Sequence, residues 1–188
     1  RGFMKKRMAL LGSTGSIGTQ ALDVIETQPN LFEATVLTAG NNWQLLTEQA
    51  LKFHPTVVVI ANESHFSKVQ EALSHTSTTV LSGHPALEEV VQRPDVDMVL
   101  TALVGFSGLR PTVAAIKASK PLALANKETL VVAGTIINSL ALQYQVPIIP
   151  VDSEHSALFQ SHVGEDHNPI EKIYLTASGG PFRGFSLD

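Results

Sequence analysis

The sequence predicts an α/β fold built on a doubly wound, mostly parallel sheet, and three observations predict it. Short apolar runs alternate with segments of helical periodicity from the first residues onward. The apolar runs are continuous, as expected of strands covered by helices on both faces. The first run leads through a glycine-rich loop into an amphipathic segment, and repeated βα alternation of this kind makes neighbouring strands parallel.

The elements follow in order. Met8-Ala9-Leu10-Leu11 is the first strand and ends at Gly12. Ile17 to Gln28 has apolar residues at Ile17, Ala21, Leu22, Val24 and Ile25, a helical spacing stopped by Pro29-Asn30. Ala34 to Ala39 is the second strand, closed by Gly40-Asn41-Asn42, and Trp43 to Phe53 the second helix. Pro55 precedes the β-branched strand Thr56–Ile60. A helix over Ser64–Leu73, a strand over Thr79–Leu81, a helix over Ala86–Gln92 and a strand over Met98–Ala102 come next. Pro111 sits where the first turn of a helix tolerates it, and that helix runs to Ala118. Pro121–Ala125 is a strand, Glu128–Tyr144 a long helix, Pro147–Val151 a strand, and Ile173–Thr176 the last legible run. The wound sheet is expected over residues 4–150, with a change of domain near Pro150, where the strand leads into a polar, carboxylate-bearing segment.

Composition narrows the function. Of 188 residues, 44% are hydrophobic and 16% charged, a globular balance that argues against disorder. The formal net charge is -4, and no basic cluster is large enough to grip nucleic acid. Lys5-Lys6-Arg7 is expected to do no more than solvate the start of the first strand. With no cysteine, disulfides, thiolate nucleophiles and cysteine-held metals are excluded together. A cytoplasmic setting is expected, and no apolar run reaches the ~18–20 residues of a membrane span. Gly179-Gly180-Pro181-Phe182-Arg183 is followed by no helix that would close a fold, so a truncated chain is expected.

The loop Gly12-Ser13-Thr14-Gly15-Ser16-Ile17-Gly18 carries the strongest chemical signal. Glycines between a first strand and its helix permit a tight turn and let backbone N–H groups approach a pyrophosphate at the positive end of the helix. Ser13, Thr14 and Ser16 are expected to add hydroxyl donors. A glycine-rich turn that only packs helix against sheet is the competing reading. NAD-selective sites place an acid at the end of the second strand; here that strand runs into Gly40-Asn41-Asn42, and the missing carboxylate favours NADPH.

Two further polar clusters follow strands on what should be the same rim. Asn126-Lys127-Glu128 comes after Leu122–Ala125, and Asp152-Ser153-Glu154-His155 after Ile148–Val151. Two carboxylates two residues apart suit Mg²⁺ or Mn²⁺, while a solvated turn capping the next helix fits the spacing as well. Lys127 reads equally as a surface charge. Thr176-Ala177-Ser178-Gly179-Gly180-Pro181 could hold an anion or be a plain loop.

Taken together, LGSTGSIG (Leu11–Gly18), LANKE (Leu124–Glu128), PVDSEH (Pro150–His155) and SGGPFR (Ser178–Arg183), in that order, make the chain resemble the 1-deoxy-D-xylulose 5-phosphate reductoisomerases from Met4 onward. The resemblance implies a Rossmann-like nucleotide domain over residues 4–150 and the beginning of an α+β catalytic domain over residues 151–188. It also implies NADPH- and metal-dependent rearrangement and reduction of that sugar phosphate to 2-C-methyl-D-erythritol 4-phosphate, in the non-mevalonate isoprenoid pathway. By the same resemblance, Thr14, Gly15, Ser16 and Ile17 match the nucleotide loop, and Gly40, Asn41 and Asn42 the segment near the ribose phosphate. Asn126 and Glu128 match further nucleotide contacts. Lys127 and Glu154 match catalytic positions, Lys127, Ser153, Glu154 and Ser178 substrate contacts, and Asp152 and Glu154 metal ligands. A homodimer without nucleic-acid or membrane partners is implied. Asn41 departs from the lysine many members carry, and members are roughly twice this length, so the chain alone is expected to be inactive.

Rival readings make contrary demands. A short-chain dehydrogenase needs a tyrosine four residues before a lysine, but Ile148 and Ser178 stand at that distance from Tyr144 and Tyr174. A semialdehyde dehydrogenase needs a cysteine. A non-catalytic redox sensor that binds NAD(P) would fit the length, but gives no reason for Asp152, Glu154 and Lys127 on one rim.

Overall fold

The computed structural model describes residues 4–103, 105–125 and 127–151. Seven strands and six α-helices alternate: β1 (Lys6–Leu11), α1 (Ser16–Thr27), β2 (Phe32–Ala39), α2 (Trp43–Phe53), β3 (Val57–Ile60), α3 (Phe66–Ala72), β4 (Thr79–Ser82), α4 (His84–Val90), β5 (Met98–Thr101), α5 (Leu109–Lys117), β6 (Leu122–Leu124), α6 (Lys127–Tyr144) and β7 (Ile148–Pro150). The strands form one sheet in the order β4-β3-β2-β1-β5-β6-β7, and every pairing is parallel. The order runs outward in one direction from β1 to β4 and in the other from β5 to β7. The crevice beyond the carboxyl ends of β1 and β5 is therefore the topological switch point where such sheets bind ligands.

Both sheet faces are buried, as the continuous apolar strands require. Met8 and Leu10 of β1 pack with Leu22 and Ile25 of α1, Leu46 and Ala50 of α2 and Val69 of α3. Ala9 and Leu11 face the other way, onto Leu87 and Val90 of α4, Ala115 and Ile116 of α5, and Ile137 of α6. Among the described residues three helices thus cover each face. Each fully buried leucine or isoleucine contributes roughly 1.5–3 kcal/mol of transfer free energy, and Leu10, Leu11, Leu37, Ile116 and Ile137 are all solvent-free.

Local chemistry sets the helix bounds. The Asn42 side chain caps α2 by accepting from the Leu45 N–H at 3.2 Å. At the far end His54 adopts a left-handed conformation (φ 52°) before Pro55. The helix expected over Ser64–Leu73 is instead split into a 3₁₀ turn at Glu63–His65 and α3. Asn62 Oδ1 accepts from both the Ser64 N–H (3.1 Å) and the Ser64 hydroxyl (2.7 Å), a local bond that competes with helix at its first turn.

The basic run before β1 needs a correction: Lys6 and Arg7 belong to the strand. The Arg7 guanidinium donates to both oxygens of Asp97, at 2.9 Å each, while Asp97 Oδ2 also accepts from the Arg7 backbone N–H at 2.8 Å. This pair ties β1 to the start of β5. No helix among the described residues is long and apolar enough to cross a membrane. The run Ile173–Thr176 lies outside the described residues.

Candidate functional site

Four residues, Gly12 to Gly15, carry the chain from β1 into α1, and each glycine of the loop has a different task. Gly12 takes φ +84°, a left-handed conformation, with Ala102 O only 3.1 Å from where a Cβ would stand. A Cβ on Gly18 would lie 2.2 Å from Gly12 O and 2.6 Å from Ser13 Cα, so the third glycine lets α1 press directly against the loop. Gly15 caps α1 in extended conformation, is solvent-exposed, and has room for a Cβ, whose nearest neighbour would be Gly12 O at an ordinary contact distance of 3.8 Å. Among the described residues no side chain caps α1, and no acid stands in its first turn. The helix start therefore presents backbone N–H groups and its positive dipole end to the switch-point crevice.

The loop's hydroxyls divide. Ser16 is exposed and Thr14 half-buried beside Gly15. Ser13, expected to offer a ligand donor, is fully buried and bonded inward: its hydroxyl lies 2.7 Å from Gln49 Oε1 and 3.1 Å from Thr38 O. Gln49 Nε2 in turn donates to Ser13 O at 2.9 Å. Thr38 takes the rest of the loop's start, its Oγ1 accepting from the Gly12 N–H (3.0 Å) and its carbonyl from the Ser13 N–H (2.8 Å). Neither Gln49 nor Thr38 was expected at the site. A signal for Gln49 existed, because it stands on the stripe Leu46, Ala50, Phe53 that α2 turns to the core.

Beyond β2, Gly40 is exposed, with no atom of the described residues within 4 Å of a Cβ position. Asn41 Oδ1 accepts from Asn62 Nδ2 at 2.9 Å, which leaves the Asn41 amide nitrogen as a donor at the rim. Asn42 is committed to capping α2. The carboxyl ends of the central strands are laced by backbone bonds: Ser13 N to Thr38 O, Ala102 N to Leu11 O, Ala125 N to Thr101 O and Val151 N to Leu124 O. The glycine loop, Ala125 and Val151 therefore line one rim. Lys127 and Glu128 open α6 just beyond Ala125. Asn126, Asp152, Ser153, Glu154, His155 and Ser178 lie outside the described residues. Among the described residues no group of three His, Asp or Glu side chains could hold a metal ion.

The perturbed charges sit at the opposite rim. The Asp97 carboxyl is held below the usual carboxylate range, first by the hydrogen bond from the Arg7 side chain, and Asp95 likewise by Arg93. Lys120 Nζ closes that rim on the carbonyls of Arg93 (2.8 Å) and Val96 (2.6 Å). These pairs hold the amino ends of the strands together and leave the carboxyl rim to the glycine loop.

A parallel, doubly wound sheet with a glycine loop at its switch point and an uncapped helix behind it defines a Rossmann-like domain of the dinucleotide-binding class. Comparison with known proteins narrows that class: residues 8–134 match the family model described as 1-deoxy-D-xylulose 5-phosphate reductoisomerase, and residues 148–188 that of its C-terminal domain. The chain belongs to the 1-deoxy-D-xylulose 5-phosphate reductoisomerase family. It is 61% identical over 184 residues to the reductoisomerase of Bacteroides thetaiotaomicron, covering 98% of this chain and 47% of that protein. Among solved structures it resembles the Zymomonas mobilis reductoisomerase in complex with NADPH (37% identity, TM-score 0.77, covering 84% of this chain and 41% of that one). It also resembles a reductoisomerase in complex with NADPH, fosmidomycin and magnesium (36% identity, TM-score 0.76, covering 82% and 38%). The chain spans about half the length of the curated relatives it matches. The resemblance read from the four motifs is borne out.

Proposed function

We propose that this chain is the nucleotide-binding half of an NADPH-dependent reductoisomerase that converts 1-deoxy-D-xylulose 5-phosphate to 2-C-methyl-D-erythritol 4-phosphate in isoprenoid synthesis. The observation that carries the reading is the open face of Gly15 at the uncapped start of α1. Among the described residues no side chain stands in the way of a pyrophosphate there, and Thr14, Gly15, Ser16 and Ile17 would hold it. Gly40, Asn41 and Asn42 would take the ribose and its 2′-phosphate: the end of β2 has no acid to repel the phosphate, and the Asn41 amide nitrogen is placed to donate. Asn126 and Glu128 would complete the nucleotide site. The solved relative with NADPH supports this assignment.

Residues 4–150 would form the nucleotide domain and residues 151–188 the beginning of the catalytic domain. Asp152 and Glu154 would supply the hard oxygen donors that Mg²⁺ or Mn²⁺ prefers, and the relative solved with NADPH, fosmidomycin and magnesium supports a divalent ion and a small-molecule ligand. When bound, the nicotinamide supplies a hydride and the ion draws electron density from the substrate's carbonyl oxygen. Lys127 would bind the sugar phosphate and balance its charge, Ser153, Glu154 and Ser178 would orient it, and Lys127 and Glu154 would be the catalytic pair. The full-length protein would be a cytoplasmic homodimer, and this chain alone would bind nucleotide without turning over substrate. Calorimetric titration tests the reading: NADPH should bind the chain more tightly than NADH, and binding of neither would refute it.

A further inference from the structure

A glutamine buried in an apolar helix stripe needs a reason. Gln49 is 6% exposed, and taking its amide out of water without partners costs about 1–3 kcal/mol. Both ends of that amide are spent on one residue, with Oε1 accepting from the Ser13 hydroxyl and Nε2 donating to the Ser13 carbonyl. Two bonds in opposite senses fix both the rotamer of Gln49 and the height of Ser13. Thr38 holds Gly12 and Ser13 from the other side. Gln49 and Ser13 are both buried while Gly15 is exposed, so their bonds hold the loop from the core side.

The two grips come from one unit. Thr38 lies one residue before the end of β2, Gln49 lies on α2, and Gly40 to Asn42 connect the two. We propose that Gln49 is a positioning residue for nucleotide binding. Through Ser13 it sets where Gly15 and the start of α1 stand relative to the β2–α2 connection, so that phosphate loop and ribose segment form one rigid cradle. The inference rests on the nucleotide reading above. It assigns no contact between Gln49 and the nucleotide.

A double-mutant cycle in the full-length enzyme, with Gln49→Met and Ser13→Ala, tests it. Gln49→Met keeps the packing volume and removes both bonds; it should raise Kd and KM for NADPH about tenfold, leaving KM for the sugar phosphate unchanged. Ser13→Ala should weaken NADPH about threefold, and should cost less in the Gln49→Met background, where only the hydroxyl's bond to Thr38 O is left to lose. A residue that only supports folding would lower kcat with the folded fraction and leave Kd for NADPH where it was, and that result overturns the proposal. If Gln49→Met does not fold, unchanged NADPH affinity in Ser13→Ala overturns it equally. Wild-type enzyme that fails to bind NADPH refutes the nucleotide reading instead, a separate outcome.

Discussion

Gly18→Ala and Gly15→Ala, three residues apart in one loop, should fail in opposite ways. At Gly18 the new methyl would stand 2.2 Å from Gly12 O, 2.6 Å from Ser13 Cα and 2.7 Å from Ser13 C. All three are backbone atoms and cannot rotate aside. Since real Cβ contacts essentially never fall below 3.0 Å, α1 must lift from the loop by about 0.8 Å, the difference from 2.2 Å. The cost lies at the upper end of the about 1–3 kcal/mol for overpacking. Alanine's helix propensity returns about 1 kcal/mol, leaving about 2 kcal/mol of destabilisation, a fall in Tm of roughly 4–8 °C for a domain of this size. At Gly15 the backbone is ordinary for alanine (φ -79°) and the nearest neighbour is 3.8 Å away, so stability should change by less than about 0.5 kcal/mol. That methyl fills the face proposed for the pyrophosphate, and NADPH affinity should fall by about tenfold or more. Thermal unfolding and fluorescence titration of both variants decide the matter. Wild-type stability in Gly18→Ala would refute the packing argument, and wild-type NADPH affinity in Gly15→Ala would refute the placement of the phosphate.

Three further outcomes are expected. In the full-length enzyme Glu154→Gln should abolish turnover and weaken magnesium while NADPH affinity stays near wild type; parallel loss of NADPH binding would count against the metal assignment. Asn42→Ala should cost about 1 kcal/mol in urea unfolding by removing the cap of α2, and no loss would mean the cap is idle. Asp97 has a carboxyl pKa lowered from 3.8 in the folded chain, so its contribution is full above that value and is lost as pH falls through the lower folded one. Asp97→Asn should therefore narrow the stability gap between neutral and acid solution, modestly, since both partners are about a third exposed; an unchanged acid dependence would dissociate the pair from acid unfolding.

The fold was legible because burial on both faces writes itself into every strand: Val57–Ile60 and Met98–Leu100 are apolar throughout, and Trp43–Phe53 carries its own cap and stop. The glycine loop was legible for the same local reason. What periodicity does not carry is direction and partner. The Ser13 hydroxyl looks identical in sequence whether it meets a phosphate or Gln49, and its inward turn depends on α2, 36 residues away. Arg7 looked like a solvated charge because Asp97 is 90 residues distant. The split before α3 was hidden because Asn62-Glu63-Ser64 suits a helix start as well as the tighter turn it forms.

The placing of β1 has a consequence for how the chain is made. It pairs with β2 across some twenty-six residues, Met8 against Ala34, but with β5 only across ninety, Met8 against Met98. During synthesis at about 5–20 residues per second, that second side stays open for roughly 5–20 seconds after β1 has emerged. Throughout that interval the most central strand of the finished sheet is an exposed edge, apolar on both faces and ready to pair with any strand that reaches it. Nascent chains growing side by side on one message are exposed to one another through that edge until residues 98–101 are made.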